Sequence, residues 1–169
     1  MARCLHNLGV TSLQRGHYDD AERFLEEALA IQVEICGEKQ ERVAVSLCNL
    51  GRLHLKCACY EKARQFMEKT LNIRLEIGNE LRIGRSLHHL GTLSETEGNI
   101  TTAADYYRRA LQTIRRYEFL PENHLYVREA VEALQRTTGT KEVQSTEVGT
   151  VMNTKRKVEE LTEIGRAHV

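Results

Sequence analysis

The chain has 169 residues, with 24 lysines and arginines against 24 aspartates and glutamates and an apolar fraction of 41%. That length suits one domain or one array of repeats, the balanced charge lacks the basic excess of a nucleic-acid binder, and the apolar fraction exceeds that of a disordered chain. No apolar run approaches the ~20 residues that a membrane span needs, and the opening residues, MARCLHNLG, read as part of a repeat rather than as a secretory signal.

The elements are predicted by three nearly superimposable stretches, which start at Asn7, Asn49 and His89 and are centred on Gly9, Gly51 and Gly91. Leucines stand before each glycine in two columns, Leu5, Leu47 and Leu87 and then Leu8, Leu50 and Leu90. After it come Ala21, Ala63 and Ala103, then the aromatic column Phe24, Phe66 and Tyr106, then Leu29, Leu71 and Leu111. Steps of three and four residues line one helix face, and the small residues mark close helix approaches. A break falls in each unit at Gly16, Ala58 or Gly98. Glycine there takes the left-handed conformation that ends a helix. Ala58 departs from the pattern and predicts a slightly different or strained turn in the second unit. Asp19 with Asp20, Glu61 and Thr101 follow, as acidic or capping side chains suited to a helix N-terminus.

In chain order, helix-turn-helix units are predicted at residues 2–38, 39–79 and 80–120. Neither helix of a unit buries its apolar face alone, so the units must stack into a solenoid. Residues 121–138 predict a capping helix or half repeat, with Val131 and Leu134 in the columns of Leu87 and Leu90. Residues 139–163 read as a polar linker or disordered tail. The last six, IGRAHV, are what a common sequencing adapter would encode, and are read as an artefact of transcript assembly. On that reading the chain is a fragment, and Met1, almost inside the first helix with no cap before it, makes the N-terminus suspect too.

These columns resemble the tetratricopeptide repeat. The Leu-Gly pair, the turn glycine, Tyr18 and Tyr60 before the second helix, and the alanines Ala21 with Ala28, Ala63, and Ala103 with Ala110 carry the likeness. The usual closing proline is replaced by Val33 and Leu75. The standard unit is about 34 residues. These are longer, and resemble the repeats of kinesin light chains and the nephrocystin type. Gly37, Val43 and Ala44 keep part of the signature that joins such repeats, and His124 and Val127 keep part of it again. The resemblance covers Ala2 to about Thr138. It implies an all-α, right-handed superhelical solenoid with no enzymatic activity and no cofactor.

The resemblance also implies a concave groove lined by each first helix. The positions it carries over are Arg3, His6, Asn7 and Val10 in the first unit, Val45, Cys48, Asn49 and Arg52 in the second, and Arg85, His88, His89 and Thr92 in the third. Asparagine amides both donate and accept, so Asn7 and Asn49 suit a peptide backbone. Arg52 and Arg85 add charge-assisted donors. The expected partner is an extended, acidic-leaning protein segment, with no nucleic acid and no membrane involved. His6 and Val10 replace the carboxylate clamp of chaperone-binding arrays, so chaperone tails are not expected. The alternatives are a sensor arm of a larger nucleotide-dependent ATPase and a structural spacer.

Other chemistry is thinly marked. There is no GxxxxGK[ST] loop, no H-E-x-x-H and no nucleophile elbow. His54, Cys57 and Cys59, with His17 on the neighbouring turn, have the residue types of a zinc site, which needs four converging ligands. The reading adopted is a chance grouping at a turn, with no metal. The five cysteines, Cys4, Cys36, Cys48, Cys57 and Cys59, are odd in number and too sparse for a secreted disulfide scaffold. They predict reduced thiols in the cytoplasm.

Overall fold

The computed structural model of the chain describes residues 1–117 and 124–139, and the predicted polar tail and terminal hexapeptide lie almost wholly outside them. Seven helices and no strand occur among the described residues: α1 (Ala2–Gln14), α2 (Tyr18–Cys36), α3 (Glu41–Lys56), α4 (Tyr60–Ile77), α5 (Glu80–Thr96), α6 (Ile100–Arg115) and α7 (Leu125–Thr138). Each helix packs mainly on its neighbours in sequence, α1 on α2, α2 on α3, and so on to α7. That is the quasi-one-dimensional arrangement of a solenoid.

Three turns split the units where the sequence predicts. Gly16, Ala58 and Gly98 all have positive φ, at 79°, 57° and 83°. His17, Cys59 and Asn99 then donate their backbone N–H groups back to Ser12, His54 and Ser94 carbonyls at 2.8–2.9 Å. These bonds close a Schellman turn and satisfy the last carbonyls of the first helix. Ala58 is the one non-glycine with positive φ among the described residues, so its turn carries the predicted strain. No side-chain cap bond forms at the starts of α2, α4 and α6, where His17, Cys59 and Asn99 hold the cap position. Asp19, Asp20 and Glu61 instead sit in the first turn, where the helix dipole favours them.

The key glycines exist for packing. A Cβ on Gly9 would lie 2.7 Å from Leu25 Cγ, one on Gly51 2.9 Å from Met67 Cγ, and one on Gly91 2.6 Å from Tyr107 Cε1. Leu25, Met67 and Tyr107 are almost wholly buried. The neighbouring aromatic column, Phe24, Phe66 and Tyr106, is only half-buried. Phe66 lies against Leu50 and Leu53, and its ring stacks on His54 at 5.3 Å.

Successive units are joined by a second set of columns. Gln32, Arg74 and Ile114 follow the key glycines at one common spacing. Each meets the next first helix at Ser46, Ser86 or Ala130. Ser46 Oγ donates to Gln32 Oε1 at 2.9 Å, and Arg74 Nη1 donates to Ser86 Oγ at 2.9 Å. Ile114 and Ala130 belong to one apolar cluster with Val127 and Leu134. Two joints are therefore polar and buried, and the third is apolar.

The two ends differ. Leu50 and Leu90 are 0% and 1% exposed because the preceding second helix covers them, whereas Leu8 in the same column is 50% exposed on α1. At the other end, α7 turns Arg128, Glu132 and Gln135 outward, with an Arg128–Glu132 pair. Arg136 grips Glu95 through Nε and Nη2 at 2.6 and 2.7 Å, and Tyr107 Oη donates to Glu95 Oε2 at 2.7 Å. Burial and that carboxylate hold the Tyr107 phenol up at about 12.

Candidate binding groove

The face built by α1, α3, α5 and α7 carries two clefts. The first, of about 310 Å³, is lined by Ala2, Arg3, His6, Gln32, Glu41, Arg42, Val45 and Arg82. The second, of about 160 Å³, is lined by Arg52, Arg85, His88, His89, Ile114, Tyr126 and Glu129. Seven of the twelve residues singled out from the sequence line one cleft or the other: Arg3, His6 and Val45, then Arg52, Arg85, His88 and His89.

The other five are placed differently. Asn49 is 8% exposed and bridges the clefts, because its amide nitrogen lies 3.3 Å from His6 Nε2 and its oxygen accepts from Arg52 Nη1 at 3.3 Å. Val10 packs against the core around Ala21 and Leu25. Cys48 is buried, and burial pushes its thiol up despite nearby arginines. Thr92 Oγ1 donates to the His88 carbonyl at 3.2 Å and lies 3.4 Å from Tyr107 Oη. Asn7 is exposed, and its carbonyl accepts from Thr11 Oγ1.

Electrostatics differ between the clefts in how the arginines are held. At the first, Glu41 Oε1 accepts from Arg74 Nη2 at 3.0 Å and from Arg82 Nη1 at 2.8 Å. Three arginines line that cleft against this one carboxylate. At the second, the Arg85 guanidinium lies 4.4 Å from the Tyr126 ring centroid, a cation–π contact that fixes it toward α7. Burial is the first cause that lowers His88, with Arg85 and Arg136 adding to it. Burial, then His88, Arg85, Arg52 and Arg74, push His89 down to about 3. Both imidazoles are therefore neutral at pH 7 and leave the positive charge to the arginines.

The zinc types do not converge. No group of three or more metal-binding side chains occurs among the described residues. His54 is buried against Phe66 with Glu22 at 3.5 Å, while Cys57 and Cys59 are exposed. No helix among the described residues is long and apolar enough to cross a membrane.

Sequence columns missed Gln32, Glu41, Arg42, Arg82, Tyr126 and Glu129 as groove residues. Gln32 shares its column with Arg74 and Ile114, three unlike residue types, so no repeated letter marks it. Tyr126 and Glu129 lie on α7, a single helix after the three helix-turn-helix units whose columns mark the predicted positions, although Glu129 takes the column of Arg3, Val45 and Arg85.

The geometry defines an array of helical hairpins with a grooved face of first helices. Tetratricopeptide repeat families match residues 1–41 and 42–116, which together span well over half of the chain, and the chain belongs to the tetratricopeptide repeat family. Repeats of this family are protein–protein interaction scaffolds. Among solved structures, the chain is similar to BtubC (BKLC) from P. vanneervenii, at 21% identity and a TM-score of 0.71, over 90% of this chain and 64% of that one. It is similar also to a Podosopora anserina protein described as a kinesin light chain with nearly identical TPR-like repeats, at 20% identity and a TM-score of 0.69, over 80% of this chain and 64% of that one. The N-terminal domain of stress-induced protein-1 from C. elegans gives 16% identity and a TM-score of 0.56, over 78% of this chain and 93% of that one. At these identities the likeness is one of fold. The chain spans 64% of the length of the first two structures. No curated protein matches the chain.

Proposed function

We propose that the chain is a non-enzymatic cytoplasmic scaffold whose groove binds an extended, acidic-leaning peptide across the two clefts. The observation that carries this reading is the clustering of Arg3, Arg42 and Arg82 in one cleft and Arg52 and Arg85 in the next, on one face of stacked first helices. Guanidinium groups offer paired, charge-assisted donors to carboxylates. Neutral His88 and His89 wall the second cleft without competing for the anion.

The test is affinity selection from a random peptide library on the 169-residue chain, with its Arg52→Glu, Arg85→Glu double variant in parallel. Enrichment of acidic peptides that the variant loses, at unchanged thermal stability, supports the reading. Selection of no peptide class overturns it in favour of a structural spacer, and equal capture by both proteins moves the site away from the second cleft.

A further inference from the structure

The hydrogen bonds around His6 run in one direction across three helices. Asn49 Nδ2 lies 3.3 Å from His6 Nε2, His6 Nδ1 lies 3.0 Å from Ser46 Oγ, and Ser46 Oγ donates to Gln32 Oε1 at 2.9 Å. An amide nitrogen only donates, and the Ser46 proton is committed to Gln32, so Ser46 must accept from His6. One neutral tautomer satisfies the whole chain: the proton on Nδ1, the lone pair on Nε2 facing Asn49. At the far side of the same amide, Asn49 Oδ1 accepts from Arg52 Nη1 at 3.3 Å. His6 lines the first cleft and Arg52 the second. Asn49 is buried between them, so its amide has few orientations open to it.

A proton from solvent on His6 Nε2 changes this arrangement. An imidazolium N–H then faces the Asn49 NH₂ group, donor against donor. The amide relieves the clash by turning over, so that Oδ1 accepts from His6. Its NH₂ then faces Arg52, which has only donors, and that bond is lost. We propose that His6 is a proton-operated switch that, through the turnover of the Asn49 amide, releases Arg52 into the second cleft. The charged groups around His6 are Arg3 on its own helix, Glu41, Arg42 and Arg52 on α3, and Arg82 at the start of α5, while α2 contributes uncharged Gln32. The arginines oppose the proton, and an anion seated in the first cleft would favour it. Burial, too, holds His6 below its ordinary value. The clefts would then be coupled, since an anion in the first frees a guanidinium for the second.

The switch needs no ligand, so its test is independent of what the groove binds. NMR on the full chain follows the His6 ring, the Asn49 side-chain amide and the Arg52 side-chain N–H groups from pH 8 to pH 4. The expected result is one shared midpoint for all three, below the ordinary histidine value of about 6.5. In His6→Gln the Asn49 and Arg52 signals should be flat with pH. The inference is overturned if His6 titrates while Asn49 and Arg52 stay still, if His6 does not titrate in that range, or if the two partners still titrate in His6→Gln.

Discussion

Arg74 Nη1 donates to Ser86 Oγ at 2.9 Å from a side chain that is 3% exposed, so a cation sits inside the joint between the second and third units. Its other nitrogen reaches Glu41 at 3.0 Å, from the start of α3. Removing Arg74 leaves Glu41 with Arg82 alone, takes the donor from Ser86 Oγ and empties the joint, which costs up to ~3 kcal/mol. Arg74→Ala should lower the unfolding free energy obtained from urea titration by that amount. The third joint shows an apolar solution at the same columns, Ile114 on Ala130. Arg74→Ile with Ser86→Ala should therefore recover most of the loss. A double variant no more stable than Arg74→Ala would show that the two joints differ in backbone geometry.

Ala58 takes φ 57° where the other two turns use glycine. The left-handed conformation costs an L-residue about 1–2 kcal/mol, and a glycine costs back part of that through unfolded-state entropy. Ala58→Gly should stabilise the protein by about 0.5–1 kcal/mol, read as a rise in Tm of a few degrees. A fall in Tm would mean that the turn is held by contacts of the alanine methyl.

Gly91→Ala and Gly51→Ala separate rigid from compliant neighbours. At Gly91 the new methyl meets the Tyr107 ring, whose hydroxyl is fixed by Glu95. At Gly51 it meets the Met67 side chain, which can shift its rotamer. The first substitution should cost about 2–3 kcal/mol and the second about 1. Chemical denaturation of both variants checks the order.

Acid should weaken the fold well before the carboxylates titrate. His6, His54, His88 and His89 are all held below their ordinary values, each mainly by burial. A histidine so depressed binds its proton more readily in the unfolded chain. Stability is then full above the unfolded value of about 6.5 and falls as pH drops below it. His89, held at about 3, stays neutral in the fold throughout that range. Between pH 6.5 and 5 it alone removes about 2 kcal/mol, at 1.36 kcal/mol per pH unit. Urea midpoints at pH 7.5 and 5 should show the loss, and His89→Gln should flatten it. A midpoint unchanged at pH 5 would mean that water reaches these rings.

Much of the fold was legible because packing demands the same residue type in every unit. The glycines Gly9, Gly51 and Gly91 must be small, and Ala21, Ala63 and Ala103 must be small opposite them. Where packing accepts different solutions, the letters diverge and the column vanishes. Leu25, Met67 and Tyr107 all fill the space over a key glycine, yet the more uniform aromatic column beside them drew the eye. Gln32, Arg74 and Ile114 close the same joint by a neutral hydrogen bond, an ion pair and apolar contact. Analogy of position singled out Arg3, His6, Arg52 and Arg85, which line the two clefts. Asn49 was legible as a groove position but not as a link, because its partner His6 lies a whole unit away.

The open column on α1 gives the array a direction. Leu8 is half exposed where Leu50 and Leu90 are sealed, while α7 turns charged residues outward and is clamped to Glu95. In a linear stack each unit is held only by its neighbours. In the isolated 169-residue chain α1 packs on α2 alone in the stack and leaves Leu8 wet, so amide exchange of that polypeptide should slow from α1 toward α6. Pulled as an isolated 169-residue polypeptide, it should peel hairpin by hairpin from the α1 side, like a zipper with its slider left at one end.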